Sequence, residues 1–179
     1  MRKFQEPSKT KFVLAVMWRP EVDHPAVLAE IEKELGSIAR QGPVFNFQYT
    51  HYYKAEMGEG LQKCFVEFDG LCSRENLVVL KQKTTLLEKR LSVDSSEVGS
   101  LELSKVARKV NLDPMVVTLE NVVVASAKNF PHRIYLGSGV FGDLALIRRK
   151  SGFEGLPWTY PDYLDQREFF EKVHRGLPR

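Results

Sequence analysis

The continuous apolar run over residues 12–18 restricts the fold of this chain more than any other feature. It is rich in strand-forming residues and lacks the polar alternation of a strand with one wet face. It therefore predicts a central strand that is covered on both faces. The start signal Asp23-His24-Pro25 follows, and apolar residues over 27–38 recur three or four positions apart. This spacing predicts an amphipathic helix that ends at Gly42-Pro43.

Two alternating segments and a second amphipathic pattern come next. Residues 44–53 and 61–68 each alternate between two faces, which predicts two strands that pair antiparallel. Leucine and threonine residues three or four apart over 77–91 predict a second helix, and residues 106–112 predict a further strand. The order of strand, helix, strand, strand, helix and strand is that of the ferredoxin-like βαββαβ arrangement.

The last third of the chain adds elements to this core. Residues 121–127 form either a strand or a buried helical turn. Residues 134–136 and 140–147, joined through Gly137-Ser138-Gly139, predict a hairpin whose glycines supply positive φ angles. Residues 165–174 predict a short helix.

The predicted fold class is therefore α+β, with a ferredoxin-like βαββαβ core, an added C-terminal β-hairpin and a short helix. A length of 179 residues with 43% hydrophobic and 27% charged residues is that of a single globular domain spanning residues 1–179. We expect residues 1–10 to be flexible and residues 93–104 to form a surface loop.

Composition and motif content exclude several classes of protein. A net charge of +3 is too small to indicate nucleic-acid binding unless the charges cluster. The first apolar run is too short for a signal peptide or a membrane span, so we expect a cytoplasmic protein that does not associate with membranes. Cys64 and Cys72 are then reduced thiols. The sequence has no phosphate-loop motif, no GxGxxG motif after a strand, and no HExxH or GxSxG motif.

The densest polar group lies just before the predicted hairpin and consists of Lys128, His132, Arg133 and Tyr135. Arginine can bind an anion through two donors, lysine supplies a point charge, and histidine can transfer a proton near neutral pH. These residue types together predict an anion-binding site. The alternative is a solvated loop in which Pro131 sets a turn.

Four further groups contain candidate residues, and each also has an ordinary structural explanation. In the order of the groups, these explanations are an acidic residue in a turn beside core aromatic side chains, the solvent-exposed side of a helix, a carboxylate that fixes a turn at a strand end, and a loop that covers the core. The groups are Tyr52, Tyr53 and Glu56 before a glycine; Lys81, Thr84, Thr85 and Glu88 on the second helix; Asn111 and Asp113 before Pro114; and Trp158, Tyr160, Asp162 and Tyr163 near two prolines.

Four segments also carry a resemblance: T-H-Y-Y-K-A-E-M-G at 50–58, V-N-L-D-P at 110–114, S-A-K-N-F-P-H-R-I-Y-L at 126–136 and T-Y-P-D-Y at 159–163. Together they resemble the bacterial and archaeal domain-of-unknown-function family 4416, along nearly the whole chain. Some relatives are labelled GTP-binding, although this sequence has no phosphate loop. It departs from the family pattern at Thr85, Met115 and Val116. The resemblance implies one domain and places these residues in the family pattern: Tyr52, Tyr53, Glu56, Lys81, Glu88, Asn111, Asp113, Lys128, His132, Arg133, Tyr135, Tyr160 and Asp162.

The first functional hypothesis is an enzyme or ligand-binding domain for a phosphorylated or nucleotide-like anionic small molecule. Lys128 and Arg133 would neutralise the anion, His132 would act as acid or base, and Glu56 or Asp113 would orient the ligand or hold a metal. This hypothesis predicts that the side chains of these five residues lie in one pocket. The other ligand-binding candidates are Tyr52, Lys81, Glu88, Asn111, Tyr135, Tyr160 and Asp162.

The second hypothesis is an RNA-binding or protein-interaction module without catalysis. Aromatic residues at 49–53, the run Arg148-Arg149-Lys150 and the basic end at 175–179 favour it. A structural subunit whose polar residues form buried hydrogen bonds is a third alternative. The sequence indicates no particular cofactor or oligomeric state.

Overall fold

One antiparallel sheet of nine strands organises the part of the chain that the computed structural model describes, residues 4–50, 52–92 and 108–178. The predicted surface loop at 93–104 lies outside these residues. The strands are β1 (Lys11–Trp18), β2 (Ile38–Gln41), β3 (Phe45–Asn46), β4 (Gln62–Phe68), β5 (Val110–Val117), β6 (Asn121–Ser126), β7 (Arg133–Gly137), β8 (Val140–Arg149) and β9 (Gly152–Gly155). The helices of the described residues are α1 (His24–Leu35), α2 (Lys54–Met57), α3 (Asn76–Ser92), α4 (Pro161–Asp165) and α5 (Arg167–Arg175).

The strand order is β2-β4-β1-β5-β6-β8-β7, with β3 beside β4 and β9 beside β8. Each of these neighbouring pairs is antiparallel. β1 lies between β4 and β5, and its residues 12–18 are buried. Leu14 and Val16 face one core, whereas Val13 and Ala15 face the other. The prediction of a central strand covered on both faces is confirmed.

Helices form a layer on each side of the sheet. Val27 and Ile31 of α1 and Leu87 of α3 belong to the core on one side. Phe170 and Val173 of α5 belong to the core on the other side. The described residues therefore form one α/β domain with a large antiparallel sheet. No helix among them is long and apolar enough to span a membrane.

The first helix is shorter than the sequence predicts. It ends at Leu35, because Gly36 takes a φ of 110° and its N–H donates to the carbonyl of Glu32. Residues Ile38–Gln41 then form β2, which pairs with β4. Ile38 packs into the same core as α1, so its apolar side chain matched the helical spacing although it belongs to a strand.

The strand predicted over 44–53 is wrong, because among the described residues of that range, 44–50 and 52–53, only Phe45–Asn46 form a strand. The chain then turns into the short helix α2. Phe47 is buried in a local cluster with Met17, Met57 and Leu61, and Tyr53 packs against that cluster. The aromatic alternation therefore reflects a side-chain cluster on a folded-back loop and not a half-buried strand.

The strand predicted over 106–112 is misplaced toward the N-terminus. β5 is Val110–Val117, and residues 106 and 107 lie outside the described chain. Asp113 and Pro114 are therefore inside a strand and not at its end. Their position still matters, because residues 110–114 of β5 are not paired with β6, and pairing begins only at Met115.

The C-terminal predictions hold better. Residues 121–126 form β6, which resolves the ambiguity at 121–127 in favour of a strand. The hairpin is confirmed as β7 and β8, and Gly137, Ser138 and Gly139 have φ angles of 119°, 51° and 75°. The helix predicted over 165–174 is α5, which begins at Arg167.

Candidate functional site

The sheet splits between β5 and β6, and the split contains a cavity of about 220 Å³. Pairing between the two strands begins only at Met115, opposite Val124. The preceding residue is Pro114, which has no N–H to donate to a strand ladder. The first half of β5 therefore has β1 as a neighbour on one side and, on the other, the cavity that contacts Asn111 and Asp113.

Side chains of α3 replace the missing strand at this split. The N–H of Leu112 donates to Glu88 Oε1 at 2.5 Å, and the carbonyl of Leu112 accepts from Lys81 Nζ at 3.2 Å. Both helical residues are only 7% exposed. Burial raises the pKa of Glu88 above its usual value, against the attraction of Lys81. The polar stripe of α3 is therefore in part a buried hydrogen-bonding edge and not simply the wet side of a helix.

The floor of the cavity is a hydrogen-bonded cluster around Asp113. Its Oδ1 accepts from Lys81 Nζ at 3.0 Å, and its Oδ2 accepts from Asn111 Nδ2 at 2.8 Å. Burial alone would raise the pKa of Asp113, but Lys81 and Asn111 together hold it below its usual value. Asp113 is thus an ionised carboxylate with both oxygens engaged, which suits it to orienting Lys81 and Asn111.

A second wall is built by β7 and β8. Arg133 stands opposite Asp143 in the strand register, and its Nε donates to Asp143 Oδ2 at 2.8 Å. Its Nη1 donates to Ser126 Oγ at 2.8 Å and to the carbonyl of Lys128 at 3.0 Å. These contacts hold the guanidinium, whose side chain is only 8% exposed, in one place.

A β-bulge fixes the loop at the mouth of the cavity. The register between β6 and β8 shifts at Val122/Val123, which leaves Ala145 as an extra residue in β8. The carbonyl of Ala145 accepts from Thr159 Oγ1 at 2.6 Å, and the carbonyl of Leu144 accepts from Trp158 Nε1 at 3.0 Å. The bulge therefore supplies the acceptors that hold Trp158 and Thr159 against the cavity.

Aromatic side chains surround the mouth. Tyr52, Phe130, Trp158 and Tyr160 line the cavity and are 52%, 47%, 39% and 48% exposed. The ammonium of Lys128 lies 3.7 Å from the centre of the Tyr52 ring, which is a cation–π contact. The mouth thus combines a cation with flat apolar surfaces.

Two cations in the lining, Lys63 and Arg108, were not predicted. Lys63 Nζ lies 2.6 Å from Asp162 Oδ2, and Arg108 Nη2 lies 2.7 Å from Glu56 Oε2. Asp162 and Glu56, which were predicted to contact the ligand, are outside the lining and pair with these two cations. Lys63 lies in the alternating segment 61–68 on the same face as Phe65, and Asp162 of α4 supplies its carboxylate partner.

The sequence comparisons give a family for this chain. Residues 8–176 match the model of a family described as a domain of unknown function, DUF4416. The chain belongs to this family. No curated protein and no solved structure matches it. The predicted resemblance is therefore confirmed over nearly the full length.

The predicted site residues divide into two sets in this DUF4416 domain. Those in the cavity lining are Tyr52, Lys81, Asn111, Asp113, Lys128, Arg133 and Tyr160. Glu56, Glu88, His132, Tyr135 and Asp162 are outside it. Tyr135 is 60% exposed and contacts Phe141 near the hairpin turn, whereas His132 stands beside the mouth with its ring stacked on Trp158, 5.1 Å between centroids.

Asp143 is a further lining residue that sequence reasoning missed. A signal was present, since a carboxylate inside the apolar segment 140–147 is rarely buried without a charged partner. Its partner Arg133 lies ten residues earlier, across the predicted hairpin. Among the described residues, no group of three His, Cys, Asp or Glu side chains is placed to hold a metal ion.

Proposed function

We propose that this domain binds a phosphorylated or nucleotide-like anionic small molecule in the cavity between β5 and β6. The observation that supports the proposal most strongly is the charge pairing of Lys128. The other cations of the lining, Lys63, Lys81, Arg108 and Arg133, each have a carboxylate partner. Lys128 has none among the described residues, so an anionic ligand would supply its counter-charge.

The shape of the cavity supports a ligand with two parts. A volume of 220 Å³ is below the range of about 300–1,000 Å³ of sites that enclose a drug-sized ligand. The cavity suits an anionic end group, held by Lys128 and Arg133. A flat remainder would then stack on the exposed rings of the mouth, as bases stack on aromatic side chains.

Binding is the function that the arrangement supports better than catalysis. Of the three predicted catalytic groups, Glu56 is paired with Arg108, and Asp113 is held by Lys81 and Asn111. His132 is the remaining candidate for proton transfer, because its ring lies at the mouth with Nε2 3.5 Å from Asp143 Oδ2. We infer that any chemistry in this cavity runs through His132.

A thermal-shift screen against inorganic phosphate, sugar phosphates and nucleotides tests the proposal, because a ligand that binds the folded state raises its melting temperature. We expect at least one phosphorylated compound to stabilise the wild type. Lys128→Gln should weaken its binding about tenfold or more, as expected for one charge-assisted contact. Lys89→Gln on the exposed surface of α3 removes the same charge and should leave binding unchanged. Equal binding by both variants would refute the role of Lys128.

The RNA-binding alternative has weaker support. Arg148 and Arg149 pair with Glu171 and Glu154, and helices cover both faces of the central sheet. Short RNA in the same screen tests it. Stabilisation by RNA at low salt that Lys128→Gln does not affect would favour this alternative.

We further propose that β1, α1, β2, β4, α3 and β5 form a ferredoxin-like βαββαβ core. The strand order supports this, since β4 lies between β1 and β2, and β1 lies between β4 and β5. The shared core of α1 and α3 on one face also supports it. In this arrangement β6 to β9, α4 and α5 are an addition, and the cavity lies where the addition joins the core.

A further inference from the structure

One carboxylate oxygen of Asp143 lies close to both Arg133 and His132, two residues that the proposed function requires. Asp143 Oδ2 accepts from Arg133 Nε at 2.8 Å and lies 3.5 Å from His132 Nε2. Asp143 stands in the middle of three paired strands, opposite Val124 of β6 and Arg133 of β7. A side chain anchored on this ladder is held more rigidly than one on a loop.

The contacts of Arg133 leave one guanidinium nitrogen for a ligand. Nε is taken by Asp143, and Nη1 is taken by Ser126 and the Lys128 carbonyl. Nη2 has no acceptor among the described residues, and it is not one of their buried unpartnered atoms. A fixed guanidinium with one open nitrogen is suited to binding an anionic oxygen.

The position of Asp143 also determines which tautomer of His132 is favoured. A carboxylate beside Nε2 favours the proton on that nitrogen, as the carboxylate of a catalytic triad does for its histidine. Nδ1 is then the nitrogen with a lone pair in the neutral ring. Stacking on Trp158 and on Phe130, with ring centroids 5.1 and 6.1 Å away, fixes the plane of the imidazole.

We propose that Asp143 is the positioning residue of this cavity, which fixes Arg133 and His132 together so that Nη2 meets an anionic oxygen and Nδ1 accepts from a hydroxyl of the same ligand. The inference rests on the proposed function and narrows its ligand to an anion that carries a nearby O–H group, such as a hydrogen phosphate or a sugar phosphate. Asp143 itself does not touch the ligand in this assignment.

Two variants separate positioning from electrostatics. Asp143→Asn removes a negative charge near an anion site, so electrostatics alone would tighten the binding of inorganic phosphate. Positioning predicts the opposite, a loss of about tenfold or more. Asp143→Glu keeps the charge but displaces the carboxylate, and we expect a similar loss. Asp69→Asn removes an exposed carboxylate and is the matched control. It should leave phosphate binding unchanged. Tighter or unchanged binding in both Asp143 variants would overturn the inference.

A ligand-free measurement keeps this inference distinct from the proposed function. In ¹⁵N NMR spectra of the wild type and of Asp69→Asn, we expect a slowly exchanging Arg133 Nε–H signal and a His132 ring whose neutral form carries its proton on Nε2. Both features should disappear in Asp143→Asn and Asp143→Glu. If they persist, Asp143 does not position these groups, whatever binds. If they disappear while the wild type binds no phosphate, positioning stands and the proposed function fails.

Discussion

Replacing Asp162 with alanine should lower the free energy of unfolding by about 3–5 kcal/mol. Its Oδ2 lies 2.6 Å from Lys63 Nζ, and the two side chains are 0% and 8% exposed. Without the carboxylate, the ammonium would remain buried and would have lost its paired charge. The rings of Phe47, Phe65 and Tyr163 lie 5.0–5.3 Å from it, but cation–π contacts contribute only about 0.5–2 kcal/mol each. Urea unfolding followed by circular dichroism measures the loss.

The double variant Lys63→Met, Asp162→Leu is the control for this prediction. Because both charges leave the interior together, we expect a stability within about 1 kcal/mol of the wild type, or above it. If Asp162→Ala does not refold, Asp162→Asn should give a smaller loss in the same direction. If a substitution of Lys63 alone and a substitution of Asp162 alone each lower the free energy of unfolding by less than about 1 kcal/mol, the pair is not desolvated as described.

Replacing Glu88 with alanine should be the next most damaging change, with a loss of about 2–3 kcal/mol. Glu88 accepts the Leu112 N–H where β6 is absent, so alanine would leave a buried donor without a partner. Glu88→Gln retains an acceptor oxygen and should cost much less. Urea unfolding at neutral pH compares the two. An equal loss in both variants would mean that the charge, and not the hydrogen bond, is what matters.

The pH dependence of Glu88→Gln has a definite sign. The folded state raises the pKa of Glu88 above 4.5, so the folded state binds this proton more tightly than the unfolded chain. The stability gained from the protonated form is complete below the unfolded pKa and is lost as the pH rises through the folded pKa. Glutamine does not ionise. The stability of Glu88→Gln relative to the wild type should therefore increase from acidic to neutral pH, and a flat difference would contradict the raised pKa.

Local patterns predicted the parts of the fold that local forces determine. The central strand β1 follows from a short apolar run rich in strand-forming residues, and the hairpin of β7 and β8 follows from glycines at positive φ. The predicted strand over 44–53 failed because aromatic side chains can pack with one another as well as across a sheet. Alternation alone does not distinguish these two outcomes.

The site was predictable where its residues are close in sequence. Lys128 lies just before the hairpin, Arg133 is its first residue, and both line the cavity. Lys63 and Arg108 were missed because their partners, Asp162 and Glu56, are remote in the chain. The role of Glu88 was also hidden, since nothing in a helical stripe reveals that a strand elsewhere lacks a neighbour.

An NMR titration of the wild type with inorganic phosphate, and then with the phosphorylated compound that stabilises it most, shows whether the cavity between β5 and β6 binds an anion. We expect saturable chemical-shift changes of the Trp158 indole N–H and of the Ser126 and Lys128 amides, which border the cavity. Signals from Arg148, Arg149 and Lys150 should stay unchanged. Shifts confined to that basic run, or no shift with any phosphorylated compound, would contradict an anion site between β5 and β6.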